Sequence, residues 1–80
     1  MKSKIEVTEK EVKAAIRVIL ADKGSYLTSL NYAVNYCRHA LLMTGSDLSV
    51  QVLYILNNIS HWTRPGSKEV RKVLKDFTKN

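Results

Sequence analysis

Charge is almost missing from the middle of this 80-residue chain. Between Gly24 and Thr63 only Arg38 and Asp47 are ionised at neutral pH, and the whole sequence holds one cysteine, one proline and three glycines. A lone cysteine, Cys37, cannot close an internal disulfide. Small secreted domains usually offset thin cores with paired cysteines, so a reducing, cytoplasmic setting is expected. No apolar run approaches the ~20 residues that cross a bilayer, so no membrane role is expected. The early lysines of the N-terminus lead into no apolar stretch of the kind a signal peptide carries. Glycine and proline act as punctuation, at Gly24, Gly45 and Pro65-Gly66.

Several chemistries lack their parts. Paired catalytic carboxylates must converge in a pocket, but the apolar middle offers only Asp47, at a helix start. Cys37 and His39 stand two apart on a helix and point to different faces, which excludes a nucleophile–base pair. Two histidines and one cysteine fall short of a structural zinc set. Thr44-Gly45-Ser46-Asp47 has neither the glycine pattern nor the lysine of a phosphate loop. The expectation is a non-enzymatic protein with no cofactor, no metal and no small-molecule substrate.

What is present is a helical pattern. Apolar residues make up 45% of the chain, near the globular norm, and no strand-like alternation or repeat occurs. The spacing predicts an all-α, compact four-helix domain over residues 8–80, behind a flexible lead at 1–7. Helices are expected at about 8–23, 26–43, 46–62 and 67–78. Thr8-x-x-Glu11 is a capping box, and Val12, Ala15, Ile16, Ile19 and Leu20 recur at helical spacing behind it. Gly24 suits a left-handed stop. The second helix would present Leu27, Leu30, Val34, Cys37 and Leu41 to the core and close at Gly45. The third would present Leu48, Val52, Ile55, Leu56, Ile59 and Trp62 before Pro65 breaks it. The fourth would start at an Ser67 N-cap and dock through Val70, Val73, Leu74 and Phe77.

Charge gathers at the two ends. Residues 64–80 carry six of the 13 cations and two of the seven acids, within a net charge of +6. On a helical wheel Lys68, Arg71, Lys72, Lys75 and Lys79 share an arc of about 100°, opposite the apolar residues, with Glu69 and Asp76 on one flank. Lys10, Lys13 and Arg17 form a shorter row on the first helix, and Arg64 stands in the turn before the last. If the first and last helices lie side by side, the rows merge into one positive surface. Such a surface tracks phosphates without reading bases, which makes nucleic-acid backbone the expected partner. The plain alternative is a solvated face that serves solubility. A membrane-surface role is disfavoured because the core needs the apolar side of the last helix. A helix-turn-helix from the second and third helices would place no cation at the recognition end; the third and fourth would place the basic helix second.

A second surface competes for the functional reading. Tyr32, Tyr36 and Met43 on the second helix, with Val50, Leu53 and Tyr54 on the third, exceed what one small core needs. Aromatic residues and methionine are enriched where proteins meet. One expectation is a protein-interaction module, adaptor-like or a symmetric homodimer through the central helices. The other is that the first and last helices cover these residues internally.

Overall fold

The computed structural model describes residues 7–28 and 30–78, and these form four α-helices and no strand. The expected flexible lead lies, apart from Val7, outside the described residues. Val7 itself packs against the core.

α1 (Glu9–Ala21) begins at the anticipated capping box. The Thr8 hydroxyl accepts the Glu11 amide at 3.2 Å, and the Glu11 carboxylate accepts the Thr8 amide at 2.9 Å. This satisfies two of the amides that a helix start leaves orphaned. Val12, Ala15, Ile16 and Ile19 are buried. The helix stops at Ala21 rather than 23, and Gly24 is not a left-handed cap. Instead the Asp22 amide bonds the Ile19 carbonyl, and the chain enters a 3₁₀ turn at Lys23–Ser25. The Asp22 carboxylate accepts the Ser25 hydroxyl at 2.7 Å, a local bond that competes with continuing the helix.

The largest departure from expectation is the second helix. α2 spans only Ala33–Ala40, and the described residues between 26 and 32 are turns. The Thr28 and Leu30 amides both bond the Ser25 carbonyl, and so does the Thr28 hydroxyl. Serine, threonine and asparagine offer the backbone such alternatives to a helical ladder, which apolar spacing alone does not register. As a result Leu27, expected in the core, is 90% exposed, while Leu30 is fully buried. Val34 and Cys37 are buried as expected, joined by Ala33 and Ala40.

Gly45 does not close α2; with φ of 60° it turns the chain into α3 (Gly45–Asn58). That left-handed backbone is one that a side chain disfavours. The Gly45 amide donates to the Glu9 carboxylate at 2.7 Å, so an acid from the first turn of α1 sits at the N-terminus of α3, where the helix dipole favours it. Leu48, Gln51, Val52 and Ile55 are buried, and the Gln51 carboxamide donates to the Tyr36 carbonyl at 3.0 Å. α3 ends at Asn58, four residues early. The Asn58 side chain donates to the Tyr54 carbonyl at 2.8 Å, and asparagine is among the weaker helix formers. Ile59 and Trp62 still reach the core, but from a turn.

α4 (Ser67–Thr78) occupies the expected residues. Gly66, with φ of 87°, redirects the chain into it. Val70 and Leu74 are buried, and Val73 and Phe77 pack against the core. The helices close a ring: α1 packs on α2 and α4, and α3 packs on α2 and α4. Inside it Trp62, Ile16, Ile19, Leu30, Leu48, Ile55, Ile59 and Leu74 are fully buried. The Cα radius of gyration is 12.1 Å, against about 12 Å for a compact domain of this length.

Candidate nucleic-acid interface and its neighbouring surfaces

The docking of α4 through Val70 and Leu74 turns its opposite side outward. Lys68, Lys72 and Lys75 are exposed there, and together with Arg71 and Asp76 they line an open hollow of about 350 Å³. Lys79 lies outside the described residues. The segregation of charge is less complete than the wheel implies. Lys72 meets Asp76 at 3.3 Å, one helical turn on, a pair of the kind worth about 0.3–0.5 kcal/mol at an exposed site. Lys68 and Lys75 make no ion pair among the described residues.

Arg71 has a different occupation. Its guanidinium is half-buried and donates to the Trp62 carbonyl at 2.7 Å, the Ile59 carbonyl at 3.4 Å and the Ser67 hydroxyl at 3.3 Å. A planar, forked donor suits several acceptors at once, and the chain just after α3 presents the Ile59 and Trp62 carbonyls to it. The residue therefore fixes the 59–62 turn against the start of α4. The Ser67 hydroxyl, expected to cap α4, accepts from this same guanidinium.

Arg64 is also engaged. Its Nε lies 3.5 Å from the Asp22 carboxylate. Asp22 accepts the Trp62 indole N–H at 2.8 Å as well as the Ser25 hydroxyl. The Trp62 bond foremost, then Ser25, and least of all the Arg64 charge, hold this carboxyl below its ordinary value of 3.8, against a small opposing effect of burial. Hydrogen bonds to the ionised form are what lower it. The cluster joins the end of α1 to the turn before α4. Beside it Val18 and Ala21 of α1 line a hollow with Arg64 and Pro65. α1 and α4 do lie side by side, with Lys10 and Arg17 exposed and Lys13 half-buried on α1.

The aromatic residues do not form a single surface. Tyr36 and Tyr54 stack, with ring centroids 5.6 Å apart and planes at 27°. Beside them on α3, Val50 and Leu53 remain exposed, and Leu53 and Tyr54 are 48% and 49% accessible. The alternative in which α1 and α4 cover this stripe is thus not what forms, because those helices pack on its neighbours instead. Met43 is half-buried against the core. Tyr32, 72% exposed, lines a separate hollow of about 590 Å³ with Thr28, Asn31, Asn57, Asn58, Ser60 and His61. Sequence reasoning missed this hollow. Its lining comes from the end of α3, at Asn57 and Asn58, and from Thr28, Asn31, Tyr32, Ser60 and His61, which were expected to be helical and lie in turns; the recurrence of asparagine among these residues was the available signal.

Cys37 is fully buried, and burial pushes its thiol up to about 12, as expected of a packed small hydrophobe. Among the described residues no three or more His, Cys, Asp and Glu are grouped to hold a metal ion, and no helix is long and apolar enough to cross a membrane.

Fold and surface together define a small all-α domain, a closed ring of four helices with a cationic last helix, an exposed apolar stripe at Val50, Leu53 and Tyr54, and a separate polar hollow beside Tyr32. Compared with known proteins, the chain matches no protein-family model, no curated protein and no solved structure.

Proposed function

We propose that this domain is a non-catalytic binder of nucleic-acid backbone, acting through the outward face of α4. The observation that carries the reading is the exposed row Lys68, Lys72 and Lys75 on a helix whose other side is docked. Lys68 and Lys75 are the principal phosphate contacts. Lys72 contributes after parting from Asp76, and Arg71 holds the backbone beneath the row. Lys10, Lys13 and Arg17 extend the positive surface onto α1. Rigid mounting matters, because each lysine loses less freedom on binding when its helix is already fixed.

The test is a titration of duplex and single-stranded oligonucleotide across a salt series. Log affinity falls linearly with log salt, and replacing both Lys68 and Lys75 by alanine lowers the slope by about 1.8 for duplex, or ~0.9 for each lost phosphate contact. Failure to bind any polyanion at low salt refutes the proposal.

The exposed Val50, Leu53 and Tyr54 stripe supports a second reading, a protein-interaction module. In that case light scattering gives a mass above that of one chain, and Leu53→Asp returns it to the monomer. A wild-type protein that stays monomeric removes the homodimer form of this reading.

A further inference from the structure

We infer that the hollow lined by Thr28, Asn31 and Tyr32 on one side and the end of α3 on the other takes a nucleobase, so that the preferred ligand is a single strand. This rests on the phosphate-binding role proposed for α4 and adds a specificity to it. The lining is wholly uncharged in formal terms: Thr28, Asn31, Tyr32, Asn57, Asn58, Ser60 and His61. Such a surface suits a neutral, polar, flat group and offers no cation to a phosphate or carboxylate.

Its chemistry matches a base in two ways. Tyr32 presents a large exposed ring, and sequence-tolerant binding of single strands rests on stacking of bases against aromatic faces. Asparagine carboxamides supply paired donors and an acceptor, the combination that base edges display. Among the described residues the side chains of Asn31 and Asn57 make no hydrogen bond. The Asn58 NH₂ group is engaged by the Tyr54 carbonyl at 2.8 Å, which leaves its oxygen to accept. The volume, about 590 Å³, falls within the ~300–1,000 Å³ typical of ligand sites.

Position joins the hollow to the cation row. Ser60 and His61 line it, and they belong to the turn whose flanking carbonyls, Ile59 and Trp62, are held by Arg71 of α4. The hollow is therefore built partly on the turn that anchors α4, the helix carrying the phosphate row. A strand laid along α4 has a place to put a base as it crosses. A duplex, whose bases are stacked and paired, has none to offer without paying for its extrusion.

The experiment compares three labelled oligomers of equal length by fluorescence anisotropy: a single strand, a duplex and a strand of abasic sites. The single strand is expected to bind about tenfold more tightly than the abasic strand, the scale of one base–aromatic stack. Tyr32→Ala removes that advantage, leaving abasic binding and the salt slope unchanged. Asn57→Ala lowers single-strand affinity several-fold. Both side chains are exposed, and an unchanged melting temperature confirms that the variants fold. Equal binding of single and abasic strands, or a Tyr32→Ala variant with full affinity, overturns the base hollow while leaving the phosphate row standing. Binding to none of the three overturns the phosphate role and this inference with it.

Discussion

Replacing Arg71 by alanine separates two roles that the sequence assigns to one residue. As a member of the cation row, Arg71 would cost affinity when removed and leave stability alone. Its geometry says otherwise. The 2.7 Å bond to the Trp62 carbonyl has near-ideal length, whereas those to Ile59 and Ser67, at 3.4 and 3.3 Å, are stretched. A hydrogen bond from a charged group contributes about 1.5–3 kcal/mol, and the half-exposed site lets water replace part of it. One strong bond and two weak ones, so discounted, come to about 2 kcal/mol. For a domain of this length each kcal/mol moves the melting temperature by about 4–8 °C, so Arg71→Ala should melt roughly 8–16 °C lower. Arg71→Lys should recover about half of this, because an ammonium cannot fork between two carbonyls and a hydroxyl. Thermal unfolding followed by circular dichroism measures both. The salt slope of nucleic-acid binding by the folded variant should match wild type. A melting temperature within about 2 °C of wild type, with a salt slope lower by about 0.9, would show that the guanidinium faces phosphate and not the turn.

Acid should weaken the Asp22 cluster. The folded carboxyl lies below its ordinary 3.8, so its stabilisation is complete above that pH and is lost as pH falls through the folded value. The stability gap between wild type and Asp22→Asn should therefore shrink below pH 3.8 in denaturant titrations; a gap independent of pH contradicts the assignment. Glycine substitutions should divide by backbone. Gly45→Ala and Gly66→Ala, at positive φ, should each lose about 1 kcal/mol. Gly24→Ala, whose new methyl would meet only Asp22 Oδ1 at 3.9 Å, should be neutral or gain up to about 1 kcal/mol. Equal losses at all three positions would contradict this division. Cys37, with its thiol near 12, should resist thiol reagents at neutral pH until denaturant opens the core, and rapid labelling of the folded protein would show it accessible.

The outer helices were legible because their signals are local and agree with one another. Thr8 and Glu11 announce the start of α1, and Pro65-Gly66 followed by a clean apolar stripe announces α4. The second helix misled for a physical reason. Leu27 and Leu30 keep helical spacing, yet Ser25 and Thr28 draw the backbone into turns, and only one of those two leucines finds the core. The end of α3 misled similarly, since Ile59 and Trp62 are buried residues that a helix does not deliver. Of the candidate interface, the exposure of the α4 lysines follows from periodicity. The partners of Arg71 and Arg64 do not, because each is set by a tertiary approach: the carbonyls of a turn in one case and Asp22, 42 positions away, in the other.

The bond between the Trp62 indole and Asp22 has a kinetic consequence. Three of the four helix pairs in the ring join consecutive helices, and only the α1–α4 pair requires the chain to close on itself. Such closure carries the largest loop entropy and is expected to come last. Trp62 is the sole tryptophan, and its N–H bonds the carboxylate just past the end of α1 across 40 positions of chain, a contact that needs the end of α1 and the turn before α4 brought together. Its fluorescence therefore serves as a built-in clock for the final step of assembly, while far-ultraviolet dichroism follows the helices that form before it.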